Sequence, residues 1–194
     1  ERLARSMREH GVEGVELAFV LGSGLGVFAE KLENARAIPY AELDGMPRSA
    51  VPGHAGKLVV GEIAGKRLVV QQGRVHLYEG WSEREVTRAV RAFAAIGVKG
   101  VVLTNAAGGI NPSWKPGTLM RITDHINLQG AAPLLVREAG CGSPYDADFG
   151  AACNEDATSW LDEVNRGRSA DFAPLFARRT LDLPFAYVEA TRLA

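Results

Sequence analysis

Four side chains with complementary chemistry lie within the short segment Gly73–Gly80. Arg74 carries a planar guanidinium that can bind an oxyanion through two hydrogen bonds at once. His76 and Tyr78 follow at a spacing of two, so in an extended segment all three side chains project from the same side. Glu79 adds a carboxylate; the alternative interpretation is a surface loop in which Arg74 and Glu79 pair. The combination favours a site for an anion together with a hydroxylated organic group.

Two glycine-rich segments supply backbone N–H groups. Gly22–Gly26 separates an apolar run from a predicted helix, where successive N–H groups and a helix N-terminus attract an anion. Ser23 adds a hydroxyl donor, and a plain tight turn is the alternative. The spacing differs from the dinucleotide and nucleoside triphosphate motifs. Asn105–Gly109 follows another apolar run, and its small side chains let a ligand approach the main chain closely. The sequence thus contains two candidate anion cradles.

Two further histidines are candidates. His54 lies between glycines in Val51–Gly56, where packing gives little reason for an imidazole; the alternative is a surface or hydrogen-bonded structural residue. Asp124 and His125 are interpreted as a charge pair that stabilises a loop. The sequence contains no metal-ligand spacing and no nucleophilic serine elbow. The set is typical of a site that binds a small oxyanion and a neutral polar molecule, and the oxyanion can itself be a reactant.

Short apolar runs and turn signals predict the elements that position these residues. The expected strands are Val15–Leu21, Lys57–Ile63, Lys66–Gln72, Val101–Thr104, Thr118–Thr123 and Leu183–Glu189. The expected helices cover residues 1–11, 27–32, 82–96, 154–166 and 169–179, the third opened by a Ser82–Glu85 capping box. We therefore predict a single α/β domain, a mixed twisted central sheet flanked by helices, with polar loops at the carboxyl edge where such sheets bind ligands.

Length and composition are those of a globular chain. The 194 residues are 46% apolar and 23% charged, enough for one domain with a sizeable core. A net charge of -1 argues against nucleic-acid binding. No apolar run approaches the roughly 20 residues that span a bilayer, and the N-terminal residues are too charged for a signal peptide. Cys141 and Cys153 fit no zinc pattern. We expect a cytoplasmic protein without metal, cofactor, nucleic acid or membrane partner.

Five segments, taken together and in order, resemble the trimeric purine nucleoside phosphorylases. They are Leu21–Gly26, Val51–Gly56, Gly73–Gly80, Thr104–Gly109 and Asp124–Asn127. The similarity extends over about residues 15–130. It implies a nucleoside phosphorylase-like domain over residues 1–194, with the C-terminal part of the family domain missing or divergent, and a homotrimer.

The resemblance also implies roles for individual residues. The expected phosphate contacts are Ser23, His54, Arg74, His76 and the backbone N–H of Ala106. Tyr78 is expected to contact the ribose. Glu79 is expected to orient His76, which makes His76 and Glu79 the catalytic pair.

The reaction implied by the resemblance is the reversible phosphorolysis of a purine nucleoside to free base and ribose 1-phosphate. Inorganic phosphate is the co-substrate, and it attacks the anomeric carbon through an oxocarbenium-like transition state. The protein must then align the anion beside a developing cation, which requires no protein nucleophile.

The chain departs from the family pattern in its tail. Family members continue beyond this length, and their purine-contacting residues have no counterpart here, so the purine-binding residues and the base preference stay unassigned. Asp148–Gly150 and Glu189 resemble family elements too weakly to carry a role. The alternatives are a non-catalytic phosphate-binding remnant, an incomplete form of a longer polypeptide, a 5′-methylthioadenosine phosphorylase relative and a generic anion-binding α/β domain.

Overall fold

The computed structural model describes residues 1–22, 25–48, 56–105, 107, 120–123 and 145–146, and the backbone of 189–192. The strands are β1 (Leu17–Leu21), β2 (Glu33–Pro39), β3 (Lys57–Ile63), β4 (Lys66–Gln72), β5 (Gly100–Leu103) and β6 (Glu189–Arg192). The α-helices are α1 (Arg2–Glu9), α2 (Glu83–Val86) and α3 (Arg88–Ala95). Short 3-10 helices cover Gly26–Lys31, Tyr40–Glu42 and Leu77–Glu79.

The strands form one mixed sheet in the order β2-β3-β4-β1-β5-β6. β1 is parallel to β4 on one side and to β5 on the other, whereas the β2–β3, β3–β4 and β5–β6 pairs are antiparallel. The central strand β1 is buried along its whole length, as its continuous apolar run predicts. The predicted mixed α/β sheet is confirmed.

Alternate residues of β1 enter two separate hydrophobic clusters. Ala18 and Val20 pack in a cluster that includes Met7 of α1 and Phe93 of α3. Leu17, Phe19 and Leu21 pack in a second cluster with residues of the 3-10 helix Gly26–Lys31. The ring centroids of Phe19 and Phe28, which belongs to that helix, are 5.0 Å apart. Because successive strand side chains point to opposite faces, both faces of the sheet are covered. This double burial fixes the register of β1.

The predicted hairpin is confirmed, with β3 and β4 joined through Ala64 and Gly65. The predicted helix over residues 82–96 forms in two pieces that meet at Thr87, whose hydroxyl donates to the Glu83 carbonyl oxygen at 2.8 Å. The Ser82–Glu85 capping box is present, and its hydrogen bonds from Ser82 hold the pKa of Glu85 below its ordinary value. The helical region therefore begins where the capping box in the sequence predicts.

Two strands differ from the sequence prediction. β2 was not predicted; it is an exposed edge strand with Ile38 as its buried residue, so it lacks the alternation of apolar residues that would reveal it. β6 begins at Glu189, where the predicted strand Leu183–Glu189 ends. Of the predicted strand Thr118–Thr123, the described residues 120–123 contain one bridge residue, Arg121, and no strand, so the prediction was wrong for this part. The rest of both predicted strands and the helices predicted at 154–166 and 169–179 lie outside the described residues.

Candidate active site

Three parallel strands end at one edge of the sheet. Their registers pair Leu21 with Gln72 and Val20 with Leu103, so β1, β4 and β5 end at nearly the same level. The first residue of β3, Lys57, pairs with Gln72, so the chain that leads into β3 arrives at this edge too. The predicted gathering of polar loops at the carboxyl edge of the sheet is therefore confirmed for the described strands.

Arg74 reaches from the end of β4 to the end of β5. Gly73, with a φ of 86°, turns the chain out of β4 in a conformation that favours glycine. The half-buried guanidinium then donates from Nη1 to the carbonyl oxygen of Thr104 at 2.8 Å. Its planar fork of N–H donors can contact this carbonyl and an anion from one fixed position. Arg74 is thus held at the sheet edge by a backbone partner that carries no competing charge.

His76 and Glu79 form a close pair. Glu79 Oε1 lies 2.9 Å from His76 Nδ1 and accepts the backbone N–H of His76 at 2.9 Å. The Glu79 side chain is 9% exposed, against 26% for His76, so the carboxylate is the more deeply buried member of the pair. Arg74 Nε donates to His76 Nε2 at 3.4 Å, which requires that the His76 proton reside on Nδ1 and point at Glu79. The pair therefore fixes both the orientation and the tautomer of the imidazole.

Tyr78 stacks on His76, with ring centroids 4.7 Å apart and an angle of 15° between the planes. The backbone is extended at His76 and then enters the 3-10 helix Leu77–Glu79. The expectation of one extended segment through Tyr78 was therefore wrong, although the Arg74, His76 and Tyr78 side chains do lie together. Tyr78 is 78% exposed, so its ring and hydroxyl are open to a ligand.

Thr104 joins the ends of β1 and β5, and sequence reasoning gave it no role. Its hydroxyl donates to the Val20 carbonyl oxygen at 3.2 Å and accepts the backbone N–H of Gly22 at 2.9 Å. Its carbonyl oxygen is the partner of Arg74, and the residue is fully buried. A hydroxyl at the last position of an apolar strand was the available signal. Thr104 connects the Gly22 segment with the Arg74 loop.

Gln72, the last residue of β4, contacts the far side of the glycine segment. Its Nε2 donates to the Gly26 carbonyl oxygen at 2.8 Å, and this bond ties the start of the 3-10 helix to β4. Among the described residues, the buried Gln72 Oε1 atom has no hydrogen-bond partner. Gly22 and Gly26, which flank the predicted anion cradle, are thus each fixed by a different neighbouring strand.

The structure places four of the predicted site residues together: Arg74, His76, Tyr78 and Glu79. The predicted phosphate contacts Ser23, His54 and Ala106 lie outside the described residues, as do Asp124 and His125. Among the described residues, no group of three or more His, Cys, Asp or Glu side chains could hold a metal ion. Nor does the described part of the chain contain a helix long and apolar enough to cross a membrane.

The mixed sheet with this site defines an α/β protein that presents a guanidinium, an imidazole–carboxylate pair and a stacking phenol at the carboxyl edge of its parallel strands. Residues 16–173 match the family model of the Phosphorylase superfamily. The chain belongs to that superfamily.

Similar proteins confirm the resemblance to purine nucleoside phosphorylases. Purine nucleoside phosphorylase 1 of Bacillus subtilis is 43% identical over 151 residues, which are 78% of this chain and 53% of that protein. Purine nucleoside phosphorylase of Bos taurus is 46% identical over 127 residues, 66% of this chain and 44% of that protein. A crystal structure of Schistosoma mansoni purine nucleoside phosphorylase in complex with inosine has a TM-score of 0.69 at 30% identity, covering 81% of this chain and 59% of the other. The chain spans about half the length of the curated relatives that it matches.

Proposed function

We propose that this chain catalyses the reversible phosphorolysis of purine nucleosides. A phosphate oxygen forms a bond to the anomeric carbon of the ribose as the bond from that carbon to the purine nitrogen breaks. The electron pair leaves with the purine, which takes up a proton, and the products are free base and ribose 1-phosphate. The observation that carries the proposal is the contact chain Arg74–His76–Glu79 with Tyr78 stacked against it, at the edge where three parallel strands end.

Arg74 and His76 are proposed to bind the phosphate. A hydrogen phosphate ion offers acceptor oxygens and a hydroxyl. The guanidinium donates to the oxygens. In this tautomer Nε2 of His76 carries no proton and accepts from Arg74 Nε at 3.4 Å, and the phosphate hydroxyl is proposed to replace that donor when phosphate binds. Losing that proton to the imidazole makes the attacking oxygen more nucleophilic. Ser23, His54 and the backbone N–H of Ala106 are proposed to complete the phosphate site, as the family resemblance implies.

Tyr78 is proposed to bind the ribose. Its exposed ring is held in place by the stacked imidazole, so a sugar that lies on Tyr78 is adjacent to an anion bound at Arg74 and His76. Holding the two reactants side by side supplies much of the rate acceleration, because the oxocarbenium-like transition state forms between them. The inosine bound in the Schistosoma mansoni relative supports a purine nucleoside as the substrate class.

The quaternary state and location are also proposed from the family resemblance. We propose that the chain forms a single nucleoside phosphorylase-like domain. We also propose that three copies assemble into a homotrimer in the cytoplasm. Light scattering of the purified chain measures its mass and tests the trimer directly.

The function is tested by incubating the purified chain with inosine or guanosine and measuring base release with and without phosphate. We expect release that depends on phosphate, together with ribose 1-phosphate in equal amount. Calorimetry with phosphate alone runs in parallel. Phosphate binding without base release would support the non-catalytic remnant instead, and failure of both measurements would overturn the proposal.

A matched pair of carboxylate variants tests the role of Glu79. Replacing Glu79 by alanine removes the acceptor of both the His76 backbone N–H and Nδ1, and leaving such groups unpaired costs about 1–3 kcal/mol. We expect kcat/KM for phosphorolysis to fall about tenfold to a hundredfold. Glu9→Ala, which removes an exposed carboxylate at the end of α1, is the control and should leave kcat/KM unchanged. Equal activities of the two variants would exclude the orienting role.

A further inference from the structure

Tyr40 is a buried phenol outside the predicted set of site residues. It directly follows β2 and is 3% exposed. Its hydroxyl donates to the end of β4, where the carbonyl oxygens of Gln72, at 3.1 Å, and Gly73 are both within reach. Its backbone N–H donates to the carbonyl oxygen of Gly56 at 2.8 Å. One residue therefore contacts two chain segments at the carboxyl edge of the sheet.

Both segments lead directly to proposed phosphate contacts. Gly73 and Arg74 share a peptide bond, and that peptide is planar. A hydrogen bond to the Gly73 carbonyl therefore fixes the plane from which the Arg74 backbone continues. Gly56 closes the segment that contains His54. Tyr40 is placed to set the position of Arg74 with its side chain and the end of the His54 segment with its backbone.

The Tyr40 hydroxyl is a hydrogen-bond donor that does not lose its proton. Burial raises the pKa of Tyr40, so the hydroxyl keeps its proton at every pH at which a phosphate site operates. Gln71 Nε2 also donates to the Gly73 carbonyl, at 3.3 Å. The turn out of β4, with its left-handed Gly73, is thus held by two buried side chains rather than by a ladder of strand hydrogen bonds.

We propose that Tyr40 is a positioning residue for the phosphate site, which it aligns by holding the carbonyl of the Gly73–Arg74 peptide. The inference rests on the proposed function, since it assigns phosphate to Arg74. It predicts that the Tyr40 hydroxyl acts on phosphate affinity and leaves nucleoside affinity largely alone, because Tyr78 lies beyond His76 and is not held by Tyr40.

The test compares Tyr40→Phe with the wild-type chain. The variant removes the hydroxyl and keeps the ring, so the core around residue 40 stays filled. We expect the Kd for inorganic phosphate, measured by calorimetry, to rise about fivefold to tenfold, the loss typical of one hydrogen bond. We expect the KM for inosine to change less than about twofold by the same reasoning. Amide hydrogen exchange at Arg74 and Val75, which directly follow the Gly73 carbonyl, should become faster.

Ile38→Val is the matched control. Ile38 is a buried β2 residue two positions before Tyr40, and losing one methylene there weakens the core without touching the Gly73 carbonyl. It should lower the melting temperature yet leave phosphate affinity and the amide exchange of Arg74 and Val75 unchanged. If Tyr40→Phe binds phosphate as tightly as wild type, or if Ile38→Val weakens phosphate equally, the positioning role is wrong. A wild-type chain that binds no phosphate overturns the proposed function itself, and this role with it.

Discussion

Replacing Gly22 by alanine is expected to destabilise the fold and to weaken phosphate binding in one step. A Cβ at this position comes within 2.7 Å of the Thr104 carbonyl oxygen and 2.8 Å of the Asn105 Cα. Both are backbone atoms, so a rotamer change cannot relieve the overlap and the ends of β1 and β5 must separate. Overpacking of this kind costs about 1–3 kcal/mol. The free energy of unfolding, from denaturant titration, measures the first effect.

The loss of phosphate affinity in Gly22→Ala follows from the displacement of the Thr104 carbonyl oxygen. Thr104 O is the acceptor that holds Arg74, so moving it displaces the guanidinium. We expect the Kd for phosphate to rise at least about tenfold, since one charge-assisted hydrogen bond is worth about 1.5–3 kcal/mol.

Gly61→Ala separates the two effects. A Cβ at Gly61 in β3 meets Leu32 Cβ at 2.7 Å and the Glu33 carbonyl oxygen at 2.9 Å, so the overlap is comparable. Gly61 is the fifth of the seven residues of β3, toward the end of the strand opposite the edge where the site forms. This variant should lose stability and keep its phosphate affinity while folded. Equal losses of phosphate affinity in both variants would show that general destabilisation, rather than the Thr104 contact, is responsible.

Local signals in the sequence accounted for the strands that build the site. The β3–β4 hairpin has the predicted bounds, because two apolar runs flank a two-residue turn. The apolar run that ends at Leu21 gives β1, and the run before Thr104 gives β5. Since polar loops follow each of these strands, the carboxyl edge could be predicted before any coordinates were known.

The contacts between those loops could not be predicted in the same way. Thr104 joins Gly22 across 82 residues of sequence, and Tyr40 reaches Gly73 across 33. Neither pair leaves a periodic pattern, because each depends on which strands become neighbours in the sheet. The edge strand β2 was not predicted for a related reason. It is exposed along most of its length, and a strand shows alternating apolar residues only when one of its faces is buried.

In the eight residues of the segment Gly73–Gly80, too, the chemistry could be predicted from the sequence but the path of the chain could not. Its residue types predicted an anion site with an aromatic neighbour, and those side chains do lie together. Its path was different: the chain enters a 3-10 turn at Leu77, and within this turn the Glu79 carboxylate accepts the His76 backbone N–H. Glu79 therefore shapes the loop and orients the imidazole with one oxygen atom. The residue types indicated the chemistry, and several local hydrogen bonds, two of them to the Glu79 carboxylate, stabilise the path that the chain takes.

Of the substitutions considered, replacing Arg74 by alanine is expected to weaken phosphate binding most. The variant loses the cation and the paired N–H donors, and it leaves the Thr104 carbonyl without this partner. Two charge-assisted hydrogen bonds are together worth about 3–6 kcal/mol, so we expect the Kd for phosphate to rise at least about a hundredfold. Calorimetry measures the Kd, and base release from inosine should fall in parallel.

Arg74→Lys distinguishes the geometry of the guanidinium from its charge. An ammonium keeps the positive charge but lacks the planar fork, so it cannot hold the Thr104 carbonyl and two phosphate oxygens from one position. We expect an intermediate loss, about tenfold in phosphate affinity. Arg84→Ala, which removes an exposed cation of α2, changes the net charge as Arg74→Ala does and should leave the affinity nearly unchanged. If Arg84→Ala weakens phosphate as much as Arg74→Ala does, the anion is attracted by overall charge and the Arg74 loop is not its site.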